Sequence, residues 1–512
     1  MSRSLVIVAA ILFTLLGLAP VACMAPRIEA GDLAGVVSER TLLLLGRTLI
    51  VGGGSAALAL ALGLPYAFLV KACRLPGAAW LGALGVLPLL TPPLVLAMTL
   101  AVATGLRGGP AIVLVLGLST FPLVTLYTGR ALQRIDGRML EAARLAGGLG
   151  AALRVQLPLV LPSAAAAACF AFALAINDFA VPDYVSSIGA KYPVYADEVF
   201  ASWRSDKDTG RAVAAALPIV VLTLLALLPA LRLARRAPLS TLGGDFRAAE
   251  PLDLGRWLPA GIAFVLCVLA FAVALPIGRL VWEAGGGARG FHLSGLVSSF
   301  GRALELARGN LRSSLVYASV AALLVAPLAL VLGHALAHAR RWARPASLLV
   351  VVPIAVPAIL FGIGGIGLWN RPLTAAVYDS GAMAVLLFVG RFAPFAVLAL
   401  AAGASMLDPR LEESACLAGA RPVRRMLWIV APTLLPAILG GMILVFVLTL
   451  RELDAAILVP AANDTVLFRL YNAVHFGRDD FVAALALLVV FFVVLPVALH
   501  ALFGRRRLEV LP

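Results

Sequence analysis

Two polar segments with one shared residue pattern carry the clearest chemical information in this sequence. Each has an acid, two small residues, a glycine six positions after the acid and a proline further on. The first begins at Glu141 and the second at Glu413. A glycine permits a sharp turn after a short helix, so each segment is expected to form a short helix that stops at its glycine. The pattern residues are Glu141, Ala142, Ala143, Gly147 and Pro158 in the first segment, and Glu413, Ser414, Ala415, Gly419, Ile429 and Pro432 in the second.

Residues that could catalyse a reaction are scarce. The chain has three lysines (Lys71, Lys191 and Lys207), and none lies in the glycine-rich P-loop motif that binds nucleotide phosphates. No paired carboxylates or Ser/His/Asp set suggests an active site, so we predict no enzymatic activity. His334 and His338 are four residues apart and lack an accompanying acid. We interpret them as a pair at a helix end and predict no metal site.

The elements that position these segments are predicted to be membrane helices. Hydrophobic residues make up 62% of the 512 residues, and they form runs of about 20, the length that crosses a bilayer. We therefore predict an all-α polytopic membrane protein with about twelve transmembrane helices. The predicted spans are 5–25, 47–70, 79–104, 110–131, 163–186, 213–234, 258–281, 313–337, 346–369, 381–403, 437–460 and 481–503.

The net charge of +15 follows from membrane topology rather than from nucleic-acid binding. Lys and Arg are concentrated in the loops that lie inside if the N-terminus is cytoplasmic. This is the positive-inside bias, and it predicts that both termini are cytoplasmic.

The sequence contains a repeat of about 270 residues, which predicts two parallel copies of one six-helix unit. The predicted domains are a first repeat at 1–234, a cytoplasmic linker at 235–257 and a second repeat at 258–512. The polar segments lie in loops 133–162 and 404–436, each before the fifth span of its repeat. A proline pair in the third span of each repeat predicts a bend, at Pro88 and Pro92 and at Pro353 and Pro357.

Polar residues near the end of the fifth span also match between the repeats. Because charges are costly inside a bilayer, such residues usually face a cavity or a partner. A polar lining of a translocation pathway and simple interfacial or salt-bridge anchoring are both consistent with them. The candidates are Asn177, Asp178, Arg451, Glu452 and Asp454.

The two polar segments resemble the EAA loop of ATP-binding-cassette (ABC) importer permeases. In that family, the loop docks in a groove of the ATPase subunit and transmits its closure to the membrane helices. The resemblance implies a fused, two-copy permease of a type I importer. It also implies two ATPase partners, one extracytoplasmic solute-binding protein and location in the bacterial inner membrane. ATP and Mg would be used by the partner, with no cofactor bound by this chain.

The first loop departs from the family pattern in one respect. The resemblance also implies a class of substrate. The family places proline 13 residues after glycine, as from Gly419 to Pro432, whereas Pro158 follows Gly147 by only 11. Fused permeases of this type resemble ferric-iron, thiamine and polyamine importers, and the segment 451–471 most resembles the ferric-iron branch. The alternative is a secondary transporter of the major-facilitator type, which predicts coupling charges near mid-membrane and no acid-glycine loop.

Overall fold

The computed structural model describes residues 3–24, 26, 28–29, 31–32, 36, 38–206, 209–235, 247–338, 343–459, 464–477 and 480–503. The part of the predicted linker at 236–246 lies outside this set. Across the described residues the regular elements are helices, and β-structure is limited to two isolated bridges, Cys73 with Leu252 and Asp136 with Ala248.

The α-helices are numbered here in chain order. The first twelve are α1 (Arg3–Phe13), α2 (Ala19–Ala22), α3 (Glu39–Ala72), α4 (Ala78–Leu84), α5 (Leu87–Leu90), α6 (Pro93–Thr104), α7 (Gly108–Gln133), α8 (Gly137–Asn177), α9 (Ala180–Ile188), α10 (Tyr195–Asp206), α11 (Thr209–Arg235) and α12 (Leu258–Leu269). The others are α13 (Leu275–Ala284), α14 (Leu293–His338), α15 (Ala343–Ala355), α16 (Ala358–Trp369), α17 (Ala375–Tyr378), α18 (Gly381–Ala404), α19 (Pro409–Leu417), α20 (Pro422–Arg425), α21 (Ala431–Thr433), α22 (Leu435–Leu450), α23 (Val466–Phe476) and α24 (Asp480–Phe503).

The helices confirm the predicted polytopic all-α fold. In the described part of the chain, nine helices are long and apolar enough to span a membrane, and three bent pairs bring the number to twelve. Each of the twelve overlaps one predicted span. Some extend well beyond it: the 46 residues of α14 measure about 69 Å, more than twice the thickness of a hydrocarbon core.

Two predicted spans end earlier than the hydrophobicity suggested. We predicted spans at 163–186 and 437–460, but α8 ends at Asn177 and α22 ends at Leu450. Polar side chains account for the first break, because Asp178 Oδ1 accepts a hydrogen bond from the Val181 backbone N–H at 2.9 Å. After the second break, Glu452 Oε1 accepts from the Ala455 N–H at 3.0 Å. These acids therefore cap turns at helix ends rather than lying within continuous helices.

The chain divides into two compact units that differ from the sequence repeats. One unit contains Val37–Glu198 and Leu217–Leu296, and the other contains Met1–Val36, Val199–Ala216 and Val297–Pro512. The helices of the N-terminal segment thus pack with helices of the second repeat. The contact is close, since a Cβ on Gly390 of α18 would lie 2.0 Å from the backbone oxygen of Leu16. Only glycine permits this approach of two backbones.

Glycine has the same packing role within the other unit. A Cβ on Gly63 of α3 would lie 2.6 Å from the Phe121 backbone oxygen in α7. α3 and α7 therefore pack backbone to backbone, and α8 packs against both. This frame holds the base of the first polar loop.

Candidate functional site

Both polar loops begin with the same helix cap. Asp136 accepts a hydrogen bond from the Arg138 N–H at 2.9 Å, and Asp408 accepts one from the Arg410 N–H at the same distance. Each aspartate stands immediately before a short helix that carries the pattern acid, either the start of α8 or the whole of α19. A side-chain cap at this position satisfies a free backbone donor and fixes where the helix starts. The sequence analysis missed these caps, although both precede the pattern acid by five positions.

The first loop turns at a different glycine from the one predicted. Gly147 has φ −171°, an extended backbone open to any residue, whereas Gly148 has φ 64° and ψ −150°. That second conformation is essentially restricted to glycine. In the second loop the predicted residue does make the turn, since Gly419 has φ 77°. The glycine requirement therefore lies at Gly148 and Gly419.

The loops also differ after their turns. Within α8 the backbone leaves helical geometry at Gly147 and Gly148, and a single helix then runs through Pro158 and Pro162 to Asn177, so no separate short helix precedes the span. In the second loop, residues 422–433 form a distinct helical segment that meets α22 at 78°. Ile429 lies in its π-helical turn, and Pro432 lies in the first turn of α21. The first loop is two residues shorter than the second, and it lacks the bend between a short helical segment and the span that the second loop has.

Apolar side chains point into solvent at the tips of both loops. Leu145 and Leu417 occupy equivalent positions, each two residues before the pattern glycine, and are 91% and 90% exposed. The second loop also exposes Leu427 and Trp428, and α19 contains no buried residue. An exposed leucine in two equivalent places, four residues after an acid, is typical of a surface that another protein covers.

The two pattern acids have different surroundings. Glu141 forms a 3.3 Å ion pair with Arg247, whose backbone carbonyl accepts from the Gly137 N–H at 2.8 Å. The same segment continues to Leu252, which exchanges backbone hydrogen bonds with the 72–74 stretch at the end of α3. An extended strip at 247–252 therefore lies along the first loop. Glu413 is exposed and forms no ion pair with the described residues.

The remaining pattern residues differ in how exposed they are on these helices. Ala142 is exposed, whereas Ala143 is buried against the rest of its unit. In α19, Ser414 is exposed and donates to the Leu411 carbonyl at 3.1 Å, while Ala415 is half-buried.

The start of α8 and helix α19 are attached to the rest of the protein by different contacts on their inner faces. In the first loop, Leu140 is 2% exposed and belongs to an apolar cluster packed against Leu64 and Phe68 of α3. The equivalent of Leu140 in the second loop is Glu412. Its carboxylate contacts His334 Nε2 at the end of α14, and His338 stacks on His334 with ring centroids 4.3 Å apart. We predicted that this histidine pair lacked an acid, which is wrong because folding supplies Glu412 from 78 residues away.

The proline pairs coincide with sharp bends. The chain turns by 99° between the segments Ala78–Leu90 and Pro93–Thr104, and by 96° between Pro345–Ala355 and Ala358–Trp369. The breaks lie at Pro92 and Pro357, while Pro88 and Pro353 sit within the preceding short helices. Arg391 Nη1 donates to the Val356 carbonyl at 3.4 Å, which satisfies an acceptor that the break exposes.

The pathway candidates lie at helix ends and are engaged in local bonds. Asn177 Nδ2 donates to the Ala173 carbonyl at 2.7 Å and to Thr223 Oγ1 at 2.8 Å. Glu452 pairs with Arg391 at 3.4 Å, both side chains being mostly buried. Arg451, Asp454 and Asp178 also have interaction partners. These contacts support anchoring, and whether the same residues line a pathway stays a prediction.

One acid outside the sequence candidates has a strongly altered environment. The pKa of Asp197 is raised to about 7, mainly by burial and also by the nearby carboxylates of Asp183 and Asp178, while a 2.7 Å hydrogen bond from the Val194 N–H lowers it. Nothing in the sequence pattern distinguishes Asp197, because its burial depends on how α10 packs.

Comparison with known proteins identifies the class of this chain. The family model described as "Binding-protein-dependent transport system inner membrane component" matches twice, at residues 76–237 and 326–509. The chain belongs to this permease family. The two matches confirm the interpretation as a fused, two-copy permease, and each contains one acid-glycine loop.

Several permeases of known name are similar to parts of this chain. The molybdenum transport system permease protein ModB of Mycobacterium bovis is 31% identical over 47% of this chain and 91% of its own length. The molybdate/tungstate permease WtpB of Pyrococcus abyssi is 33% identical over 29% of this chain and 59% of its own. A putative ferric permease of Haemophilus influenzae, FbpB 1, is 27% identical over 32% of this chain and 26% of its own.

The family defines the general role of this chain as an inner-membrane, multi-pass permease of binding-protein-dependent import. Membership also implies ATPase and solute-binding partners. The acid-glycine loops, with their exposed leucines and glycine turns, are the candidate surface for the ATPase.

Proposed function

We propose that this chain supplies both transmembrane halves of an ATP-driven importer and docks one ATPase subunit on each acid-glycine loop. The single observation that carries the proposal is the repeated loop tip, with Leu145 and Leu417 almost fully exposed beside a glycine turn. Two equivalent tips fit two copies of one ATPase. One extracytoplasmic binding protein delivers the solute from the opposite side.

The exposed surface of each loop is suited to bind the ATPase and to pass its movement to the membrane helices. A leucine that passes from solvent into an apolar groove contributes roughly 1.5–3 kcal/mol, enough to anchor a loop. The glycine turn and the aspartate cap keep the tip rigid, so that movement of the ATPase is passed to α8 and to the 422–433 segment rather than absorbed. The loops and both termini then face the cytoplasm, in agreement with the positive-inside bias.

The chain itself performs no catalysis in this proposal. ATP and Mg²⁺ bind to the partner ATPase, since the sequence has no P-loop and none of its three lysines lies in a phosphate-binding motif. The secondary-transporter alternative lacks support, because family membership assigns an importer permease.

We propose ferric ion as the transported substrate. This rests on the resemblance of the segment 451–471 to the ferric-iron branch and on the similarity to FbpB 1. The match to FbpB 1 covers 32% of this chain and 26% of that protein. Thiamine and polyamines are the organic solutes of similar fused permeases and serve as comparison substrates.

A second candidate substrate is the oxyanion molybdate or tungstate. The observation that favours it is the 31% identity to ModB over 91% of that protein, together with the match to WtpB. The two candidates differ in charge sign, so a transport measurement separates them.

The test is uptake by proteoliposomes that contain this chain, its ATPase and its binding protein. ATP-dependent accumulation of ferric ion, and not of molybdate, tungstate, thiamine or polyamine, is the expected result. Molybdate or tungstate uptake would replace the ferric assignment while leaving the importer role intact. Uptake without ATP or without the ATPase, or ATP hydrolysis by this chain alone, would contradict the importer role itself.

A further inference from the structure

The cluster of His334, His338 and Glu412 has the composition and spacing of a metal-ligand set. One candidate ligand atom from each side chain lies within 4.8 Å of the others. Two histidines at i and i+4 on a helix with one carboxylate is a common ligand set for Zn²⁺ and related cations. Bonds of about 2.0–2.1 Å hold ligand atoms at most about 4.2 Å apart, so small side-chain rotations suffice to bind an ion.

The hydrogen bonding of His338 prepares it as a ligand. Its Nδ1 lies 2.9 Å from the backbone carbonyl oxygen of His334. A carbonyl only accepts hydrogen bonds, so Nδ1 carries the proton and the lone pair of Nε2 is available. A backbone carbonyl behind the ring is the usual second contact of a metal-bound histidine. The His338 side chain is exposed, which gives an ion a route from solvent.

His334 and Glu412 complete the set from the buried side. The His334 side chain is 5% exposed, and its Nδ1 is buried without a hydrogen-bond partner in the described structure. The contact between His334 Nε2 and the Glu412 carboxylate is the bond that a cation would replace, with both groups becoming its ligands.

Comparison of the two repeats indicates that the cluster of His334, His338 and Glu412 does more than pack α19 against its neighbours. The first repeat holds its docking helix with an apolar cluster that includes Leu140, packed against Leu64 and Phe68. The second repeat has Glu412 in place of Leu140, and a histidine pair where the first has a leucine and a phenylalanine. Apolar packing is therefore sufficient to attach such a helix, and the polar set adds a capacity that the first loop lacks.

We propose that His334, His338 and Glu412 bind one divalent first-row transition-metal cation, such as Zn²⁺, and that the bound ion ties α19 to the end of α14. Two nitrogens and one carboxylate oxygen suit this class better than Mg²⁺ or Ca²⁺, which prefer all-oxygen sites. The ion links α19, which carries Glu413 and Leu417, to a membrane helix. Metal in the cell thus sets how firmly the second docking loop is held.

The first test is binding of Zn²⁺ and Co²⁺ by the purified full chain in detergent, measured by calorimetry and by the visible spectrum of Co²⁺. One ion per chain is expected, with affinity lowered about tenfold or more by His338→Ala and by Glu412→Gln. The matched control is His475→Ala, because His475 makes the same Nδ1 contact to a carbonyl four residues back, at 2.8 Å, outside the three-residue cluster. Cys416→Ser, on the same helix as Glu412, should also leave binding unchanged.

A second variant separates ligand loss from misfolding. The triple change His334→Leu, His338→Phe and Glu412→Leu transplants the apolar cluster of the first repeat, and it should fold and lose the ion. No binding by the wild type, or equal binding by the wild type, His338→Ala and Glu412→Gln, would overturn the site. Binding does not need the ATPase, so its failure would not touch the proposed import function.

Protease cleavage tests whether the bound ion holds α19 against α14. Arg410 lies in α19 and is exposed, so trypsin can cut after it when the helix moves away from α14. Zn²⁺ should slow cleavage after Arg410 in the wild type and not in Glu412→Gln. Unchanged cleavage despite bound Zn²⁺ would show that the ion does not hold α19.

Discussion

The carboxylate of Glu141 lies 3.3 Å from the guanidinium of Arg247, a residue of the strip that joins the two repeats. Both side chains are partly exposed, 39% for Glu141 and 55% for Arg247, so the pair contributes at most about 1 kcal/mol. The strip itself is held more firmly, by backbone hydrogen bonds of 2.7–2.8 Å at Gly137, Arg74 and Leu252. Glu141 is therefore engaged by the 247–252 strip, whereas Glu413 is exposed and forms no ion pair with the described residues.

This difference predicts unequal effects of charge reversal on ATPase docking. Glu413→Lys should reduce the amount of ATPase that co-purifies with the chain more than Glu141→Lys does. Glu413 is exposed without an ion-pair partner in the described structure, and its loop has the separate second helix. The measurement is the ratio of ATPase to permease after affinity purification.

Asp379→Lys is the control for this pair, because Asp379 is an exposed acid outside both docking loops. It should leave the ratio unchanged. Full ATPase retention by both loop variants would mean that the acids do not take part in docking.

The exposed leucines predict the strongest single-residue effects. Leu145→Asp and Leu417→Asp should each weaken ATPase binding by about 1.5–3 kcal/mol, the transfer free energy of a leucine side chain, roughly a 10- to 150-fold change in affinity. The thermal stability of the isolated chain should not change, since neither side chain packs in it. Leu373, fully exposed outside the docking loops, provides the control Leu373→Asp. If all three variants bind ATPase equally, the loop tips are not the docking surface.

The backbone conformation predicts which glycines tolerate a side chain. Gly148→Ala and Gly419→Ala should each destabilise their loop by about 1–3 kcal/mol, because an L-residue is strained at positive φ. Gly150→Ala is the control, since its φ is ordinary, its Cβ meets open space, and alanine favours a helix. Differential scanning calorimetry and ATPase retention both report the effect. A neutral Gly148→Ala would show that the turn at Gly148 is not required.

The raised pKa of Asp197 predicts a pH-dependent stability. The folded protein keeps a proton up to about pH 7, while an unfolded aspartate loses it near pH 3.9. The contribution of Asp197 to the stability of the folded protein is therefore full below the pKa of the unfolded state and is lost as pH rises through about 7. The melting temperature in detergent should fall from pH 5 to pH 8 by an amount that Asp197→Asn removes. Asp379→Asn, at an exposed site, should keep the wild-type slope; an equal slope in Asp197→Asn would refute the assignment.

Local and repetitive features of this protein could be read from its sequence. Twelve apolar runs correspond to the spanning elements because bilayer thickness sets their length, independently of which helices become neighbours. The paired prolines coincide with two near-right-angle bends because a missing backbone donor acts locally. The two acid-glycine loops fall within the two family matches, and each could be recognised because it is a short contiguous pattern.

Only the tertiary structure decided which distant residues meet. The acid beside His334 comes from Glu412, and the partner of Glu141 is Arg247, because helix packing brings together segments far apart in sequence. The structure also placed the turn at Gly148 rather than Gly147 and ended the helices at Asn177 and Leu450, beside Asp178 and Glu452, which hydrophobicity and the glycine spacing had not indicated. Hydrophobicity and spacing are properties of one segment, whereas ligand sets and ion pairs need two segments placed within a few ångströms. That placement arises from the packing of whole helices, which no single stretch of sequence encodes.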